Sequence, residues 1–465
     1  MASSSQDNPN LSAGAVAGAA APDPIGAGDD SYKSWGHYPL AAHRKIIRPA
    51  WMDEITPAVL KDNAPLLAYG LGRSYGDSCL NDGGTLMDTR PLDRVLHFDA
   101  EEGSIVCEAG VSLGEILLTA VPRGWFLPVT PGTKIVTLAG AIANDVHGKN
   151  HHVGGTIGCH VEQLELVRSD GQVLRCSREE NAELFSATIG GLGLTGIIRW
   201  AELRLKKIAS AEIEMDTVPF STFEDFVRLS SDEEGSRYEY TVGWVDCLSG
   251  RKTRGIFMRG NHSTQGRLQT HPEKIKLGVP FTLPGFTLNK LTIWGFNNLY
   301  YFMGKRKEGH SRVHYDPFFY PLDKVDNWNR IYGPGGFTQY QCVVPESEAA
   351  AFQEILERIA RGGQGSFLGV IKKFGNVPSP GMMSFPRPGL TLALDFPFRG
   401  EATLRLFADL DEVVAAAHGA LYPAKDPRMS PRMFRLSYPR LDEFQRWVDP
   451  ALSSSFWRRV MEVSR

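Results

Sequence analysis

Hydrophobic and polar positions follow two periods along this chain, and the switches between them mark its elements. Leu66 to Tyr69 is a short apolar run that enters a Gly-rich turn, residues 70–77. Thr85 to Asp88 and Ile105 to Ala109 predict strands. Val111 to Val121 changes to helical spacing, with Ser112 as N-cap and Glu115 three residues on, the signature of a capping box. Val161 to Arg168 and Gln172 to Cys176 predict a hairpin that turns at Asp170-Gly171. Glu179 to Thr188 reads as a helix, Ile197 to Leu205 as an alternating strand, and Glu346 to Ala360 as another helix. This order is α+β rather than a regular βαβ series.

Length and composition narrow the class. At 465 residues the chain is too long for one compact core, which predicts two domains or one with a large insertion. Apolar residues at 42% and charged residues at 22% are ordinary for a globular protein. A net charge of -3 gives no electrostatic reason to expect nucleic acid as a partner. The six cysteines have no C-x-x-C spacing, so no metal site is expected and reduced thiols are. Residues 1–30 are rich in Ala, Gly, Ser, Asp and Pro without a basic start to an apolar run, so they predict a disordered tail rather than a signal peptide.

No uninterrupted apolar run reaches the ~18 residues of a membrane-spanning helix. The expected location is therefore cytoplasmic or peripheral to the inner membrane. Leu277 to Met303 is nonetheless dense in Phe, Leu, Trp and Tyr, with Lys274, Lys276, Lys290, Lys305, Arg306 and Lys307 around it. Pro280, Pro284 and several Gly and Asn residues argue against one long helix there. Such a segment fits contact with an anionic membrane surface, a site that holds a lipid tail, or a mobile loop packed on its own core.

Gly191-x-Gly193-x-x-Gly196 matches the dinucleotide fingerprint formally, but a helix precedes it and a strand follows, the reverse of what a nicotinamide site needs. Taken together, the Gly-rich segments near 70–76, 131–148 and 190–196 carry more information. Several such loops can surround a pyrophosphate with main-chain N–H groups.

Gly72-Arg73-Ser74-Tyr75-Gly76-Asp77, Pro131-Gly132-Thr133, the run from Gly140 to His152 with its His-Gly-Lys-Asn-His-His string, and the run from Gly190 to Gly196 resemble the flavin-binding loops of the vanillyl-alcohol oxidase / p-cresol methylhydroxylase (PCMH) superfamily. Within it they resemble the decaprenylphosphoryl-β-D-ribose 2′-oxidases, the flavoprotein half of a cell-wall epimerase. The resemblance continues through Tyr332-Gly333-Pro334, Gln339 to Gln341, Lys372 to Gly375, Asp395 to Pro397 and Lys425 to Arg440. It implies a two-domain PCMH-type FAD-binding fold: an FAD-binding domain over 31–210, a substrate domain on an antiparallel sheet over 211–419, and a return to the first domain over 420–465.

The same resemblance implies which residues hold FAD. They are Gly72, Arg73, Ser74, Tyr75, Gly76 and Asp77, then Pro131, Gly132 and Thr133. Gly140, Ala143, Asn144, His147, Gly148, Asn150 and His151 follow, with Gly193, Gly196, Ile197 and Tyr438. Many members link the flavin to a His at the end of an Arg-Ser-x-Gly-His motif; here that position is Asp77, so FAD is expected to be non-covalent.

Lys425 matches the catalytic base, and His147 lines the flavin and substrate pocket. A lysine serves as base only where burial or a neighbouring cation favours the neutral amine, so Asp426 should point elsewhere. Lys149, Gln341 and Lys372 match substrate-pocket residues, and Trp244 matches a pocket wall or a core position. Phe319, beside Tyr320, stands where relatives have a pocket tyrosine, and Thr391 and Ala393 stand where well-known members have Asn and Cys. The implied reaction is oxidation of a C2′ hydroxyl on a lipid-linked pentose, with a short-chain reductase as partner. A soluble sugar, alditol or aldonolactone oxidase and a non-catalytic flavin scaffold are the alternatives.

Overall fold

In the computed structural model, residues 32–231, 237–270 and 277–462 are described. The tail expected at 1–30 lies outside them, as do Lys274 and Lys276. Ser112 begins the helix Leu113–Ala120 with both bonds of a capping box: Glu115 N donates to Ser112 Oγ at 3.1 Å and Ser112 N donates to Glu115 Oε2 at 2.7 Å. Val161–Val167 pairs antiparallel with Val173–Ser177, as the Asp-Gly turn predicts. The helix expected from Glu179 begins only at Ala182, because Asn181 takes a left-handed conformation that interrupts the turn.

Three sheets organise the α+β chain. Lys45–Ile47, Thr85–Asp88 and Leu66–Tyr69 form a parallel sheet with Thr85–Asp88 in the centre. Val95–Asp99, Ser104–Glu108, Ile197–Arg204, Val161–Val167 and Val173–Ser177 form an antiparallel sheet in that order. Leu113–Ala120, Leu138–Ala143 and Ala182–Thr188 pack on it through Ile116, Leu117, Ile142 and Phe185.

The third sheet has eight antiparallel strands, running in order Gly309–His314, Glu212–Phe220, Gly255–His262, Tyr240–Val245, Gly369–Phe374, Gly389–Pro397, Phe337–Val344 and Ala420–Leu421. Strand residues alternate between faces. One face, with Ile371, Leu392, Leu394, Tyr340 and Cys342, is buried under the helices Phe223–Leu229, Ala349–Gly362 and Glu401–Ala416. The other face carries Lys372, Asp395, Gln339 and Gln341 among apolar residues, and it looks toward the Gly-rich loops.

After Leu421 the chain returns to the first two sheets. Tyr75 N donates to Ala424 O at 2.8 Å, Ser455 N to Leu80 O at 2.7 Å, and Leu66 pairs with Leu452. The segment 277–303 is not one helix, as its prolines predict, but its second half is helical. The prolines keep its first part irregular, and Lys290–Lys305 is one 16-residue helix capped by Asn289. Its Asn297 does not break it, because the side-chain amide donates to Asp246 at 2.8 Å and spares the helix backbone. No helix among the described residues is long and apolar enough to cross a membrane. All six cysteines are free thiols.

Candidate active site

Between the second face of the large sheet and the Gly-rich loops lies a cavity of about 770 Å³, in the upper part of the ~300–1,000 Å³ range typical of ligand sites. Period-two geometry decides which sheet residues reach it. Val242 and Trp244, Val370 and Lys372, Ala393 and Asp395, and Gln339 and Gln341 form its ceiling, while Val245, Ile371, Leu394, Tyr340 and Cys342 beside them in sequence face the helices. Gln339 is opposite Asp395 in the ladder and its amide donates to that carboxylate.

Lys425 enters from the turn Pro423–Lys425 that follows the last strand. Its ammonium lies 3.9 Å from the centre of the Tyr75 ring. Burial pushes its pKa down to about 8, against the pull of the Asp395 carboxylate. Asp395 is pushed up by the same burial, against Gln339 and Lys425. Lys372 is lowered to about 8 by burial and then by Lys425, and Lys149 to about 7 by burial and then by Lys372. Asp426 turns away: its carboxylate accepts from Arg428 N at 2.9 Å and pairs with the Arg428 and Arg459 guanidinium groups.

His147 is held neutral. Burial, then Lys372, His151 and Lys425, push its pKa well below the usual imidazole range. Gln341 Nε2 donates to His147 Nε2 at 3.0 Å, which leaves the proton on Nδ1. That Nδ1 is buried and has no partner among the described residues. Lys149 donates to the Phe318 carbonyl and lies 4.5 Å from the centre of the Phe318 ring.

Most residues expected from the sequence share this one cavity. Gly72, Arg73, Ser74, Tyr75, Pro131, Gly132 and Thr133 line it, as do Gly140, Ala143, Asn144, His147, Gly148, Gly193 and Gly196. So do Lys149, Trp244, Phe319, Gln341, Lys372, Ala393 and Lys425.

Eight expected residues do not reach the wall. Gly76 is instead where two backbones meet: a Cβ there would stand 2.4 Å from the Asp426 carbonyl oxygen. Asp77 points the other way, into a two-pronged ion pair with Arg459 at 2.7 and 2.9 Å. Asn150 is occupied by the Pro128 carbonyl at 2.7 Å, and His151 packs on Phe374 with ring centres 4.5 Å apart. Ile197 belongs to the core under the parallel sheet, and the Tyr438 hydroxyl donates to Leu421 O at 2.8 Å. The Tyr320 hydroxyl meets Thr130 Oγ1 at 2.7 Å behind the wall, and Thr391 donates to Cys342 O at 2.8 Å.

Of the wall residues outside the expected set, two are polar side chains of the large sheet. Gln339 and Asp395 share strand parity with Gln341 and Ala393, so alternation alone points to them.

The sequence comparisons agree with this geometry. Residues 47–177 match the family model described as FAD binding domain. The chain is 37% identical over 429 residues to decaprenylphosphoryl-β-D-ribose oxidase of Mycolicibacterium smegmatis, covering 87% of this chain and 91% of that protein. The chain belongs to the decaprenylphosphoryl-β-D-ribose oxidase family. It is 31% identical over 75% of its length to an uncharacterized protein from the mprA 5′ region of Streptomyces coelicolor, all of which it spans. L-gulonolactone oxidase of Bos taurus matches at 25% over 44% of this chain and 47% of its own.

As a member of this family within the vanillyl-alcohol oxidase / PCMH superfamily, the protein is an FAD-dependent oxidoreductase. Its residues fit the cofactor. Gly193 is in a left-handed conformation at the wall, and a Cβ on Gly132 would have nothing within 4 Å. Gly72, Arg73 and Ser74 donate no main-chain hydrogen bond to any described residue. A wall of free N–H groups suits a pyrophosphate. The unpartnered His147 Nδ1 is a further donor for a ring carbonyl or for substrate.

Proposed function

We propose that the protein oxidises the C2′ hydroxyl of a polyprenyl-phosphoryl pentose to the keto sugar, as the first half of a 2′-epimerisation in cell-wall precursor synthesis. The observation that carries this is Lys425: a half-buried, partly neutral amine, delivered by the carboxy-terminal return to the one wall that also holds Lys372, Lys149 and His147. The name of the M. smegmatis relative supplies the sugar and the lipid phosphate.

FAD, when bound, supplies the two-electron acceptor for the carbinol C–H. Main-chain N–H groups of Gly72 to Ser74 and of the Pro131–Thr133 turn would hold its phosphates. The neutral Lys425 amine takes the hydroxyl proton as the C–H bond breaks. Lys372 disfavours the ammonium form before reaction, and Asp395 stabilises it afterwards. A phosphoryl group entering beside Lys149 and Lys372 favours their ammonium forms and so gains its counter-charge there, while Trp244 and Phe319 supply flat apolar walls for the sugar. A short-chain reductase would then reduce the keto product.

Two expectations follow from the site. The base must be unprotonated, so kcat/KM should rise with pH through about 8 and level off above it, where Lys425 is neutral. A profile flat across that region would remove Lys425 as the titrating base. The second concerns attachment. Asp77 cannot form the histidyl link and faces Arg459, so acid precipitation should leave FAD in the supernatant. FAD retained on the pellet would contradict a non-covalent cofactor.

The reaction is tested by incubating holoenzyme with a prenyl-phosphoryl ribose and an artificial electron acceptor, then trapping the product with borodeuteride. Label at C2′ is expected. Equal turnover of the free sugar would favour a soluble sugar, alditol or aldonolactone oxidase instead. No turnover of either would leave a flavin-binding scaffold.

A further inference from the structure

We propose that the helix Lys290–Lys305 and the turn before it form a docking face for an anionic phospholipid surface, placed so that a lipid-linked substrate passes from that surface into the cavity. Seventeen large apolar side chains are exposed among the described residues, and nine of them lie between Phe281 and Met303. Their exposure is high: Phe286 76%, Leu291 73%, Phe281 64% and Leu299 57%.

The helix is inverted relative to an ordinary surface helix, which turns its apolar stripe inward. Here the buried residues are Ile293 and Asn297, and Leu291, Leu299 and Phe302 face out. A polar network fixes that rotation. Asn297 donates to Asp246 at 2.8 Å, Arg254 pairs with the same carboxylate, and Arg254 also donates to Asn298 at 2.8 Å. Rolling the helix to hide its aromatics would break the Asn297 bond to Asp246 and the Arg254 bond to Asn298.

Two observations choose the occupant. Lys290, Lys305, Arg306 and Lys307 are exposed around the apolar face, and residues 277–307 contain no Asp or Glu. Basic residues ringing an aromatic face match an anionic lipid surface. The inner side of the helix is also continuous with the active site: Phe296 and Tyr300 line the cavity, and Tyr300 packs on Trp244 with ring centres 4.6 Å apart. One helix thus borders the sugar site on one side and presents its apolar residues to the outside on the other. The delivery role rests on the proposed lipid-linked substrate; the docking itself does not.

The test is co-sedimentation of the full-length holoenzyme with vesicles of phosphatidylcholine containing phosphatidylglycerol, and with phosphatidylcholine alone. Binding to the first and weaker binding to the second are expected. The triple variant Leu291→Ser/Leu299→Ser/Phe302→Ser should lose more than about tenfold in apparent affinity, since three apolar anchors leave the interface. None of the three lines the cavity, so turnover of a short, water-soluble prenyl-phosphoryl ribose should be unchanged. Wild type that stays in the supernatant with both vesicles, or a triple variant that binds like wild type, overturns the proposal. So does lipid-free self-association of wild type that the triple variant abolishes, which would make the face a contact between copies. Vesicle binding without turnover of the soluble analogue would sink the substrate assignment and leave the docking surface standing.

Discussion

Lys425→Ala is expected to lower kcat by about 10³-fold while the protein still purifies yellow, the loss usual for removing a positioned general base. The main-chain contacts of this turn do not depend on the side chain: Lys425 N donates to Tyr422 O and Tyr75 N to Ala424 O. The fold around the cofactor loops should therefore persist. Lys425→Arg should fail almost as badly, although it keeps the charge, because a guanidinium does not give up its proton near neutral pH. That pair separates a base from a residue that merely supplies positive charge, for which arginine would restore most of the rate. Full turnover by the alanine variant with FAD retained would defeat the assignment.

The second large effect is on stability. Arg459→Ala should cost about 3 kcal/mol, because it removes one partner of a buried ion pair and leaves the other charged. Asp77 is nearly fully buried and receives two hydrogen bonds from Arg459, which also donates to the Met429 carbonyl. Burial already pushes the Asp77 carboxyl up. Without Arg459 its ionised form is the destabilising one, so the defect should shrink as pH falls and Asp77 takes a proton. The double variant Asp77→Asn/Arg459→Ala should recover part of the loss, again because no charge is left unpaired. Thermal unfolding of the FAD-loaded proteins measures both. An Arg459→Ala variant as stable as wild type would mean that the pair contributes little to joining the carboxy-terminal helix to the loop after Gly76.

Local signals in the sequence mark local structure well. The capping box at Ser112 and Glu115 and the turn at Asp170-Gly171 act over a few residues, and both form as their spacing predicts. The three Gly-rich loops reach one cavity because their common feature, missing side chains, is itself what the wall is made of. Neighbours inside one motif were harder to separate. Tyr75 faces the cavity and Asp77 faces Arg459, and Phe319 is on the wall while Tyr320 is behind it; that direction is set by one local turn and by a partner far away in the chain. Thr391 has the same strand parity as Ala393 and Asp395 yet lies beyond the cavity, opposite Lys372 in the ladder. The helix at 290–305 was hidden because Gly295, Asn297 and Asn298 lower helix propensity, and the contacts that overrule this, to Asp246 and Arg254, come from another strand and turn.

The central claim is that a flavin in this cavity accepts electrons from a lipid-linked ribose as Lys425 takes the proton. Anaerobic rapid mixing of the yellow holoenzyme with prenyl-phosphoryl ribose, followed at the visible flavin band, tests it most directly. The band should bleach in one turnover for wild type and about 10³-fold more slowly for Lys425→Ala. A wild-type band that stays unbleached at saturating substrate would contradict the account.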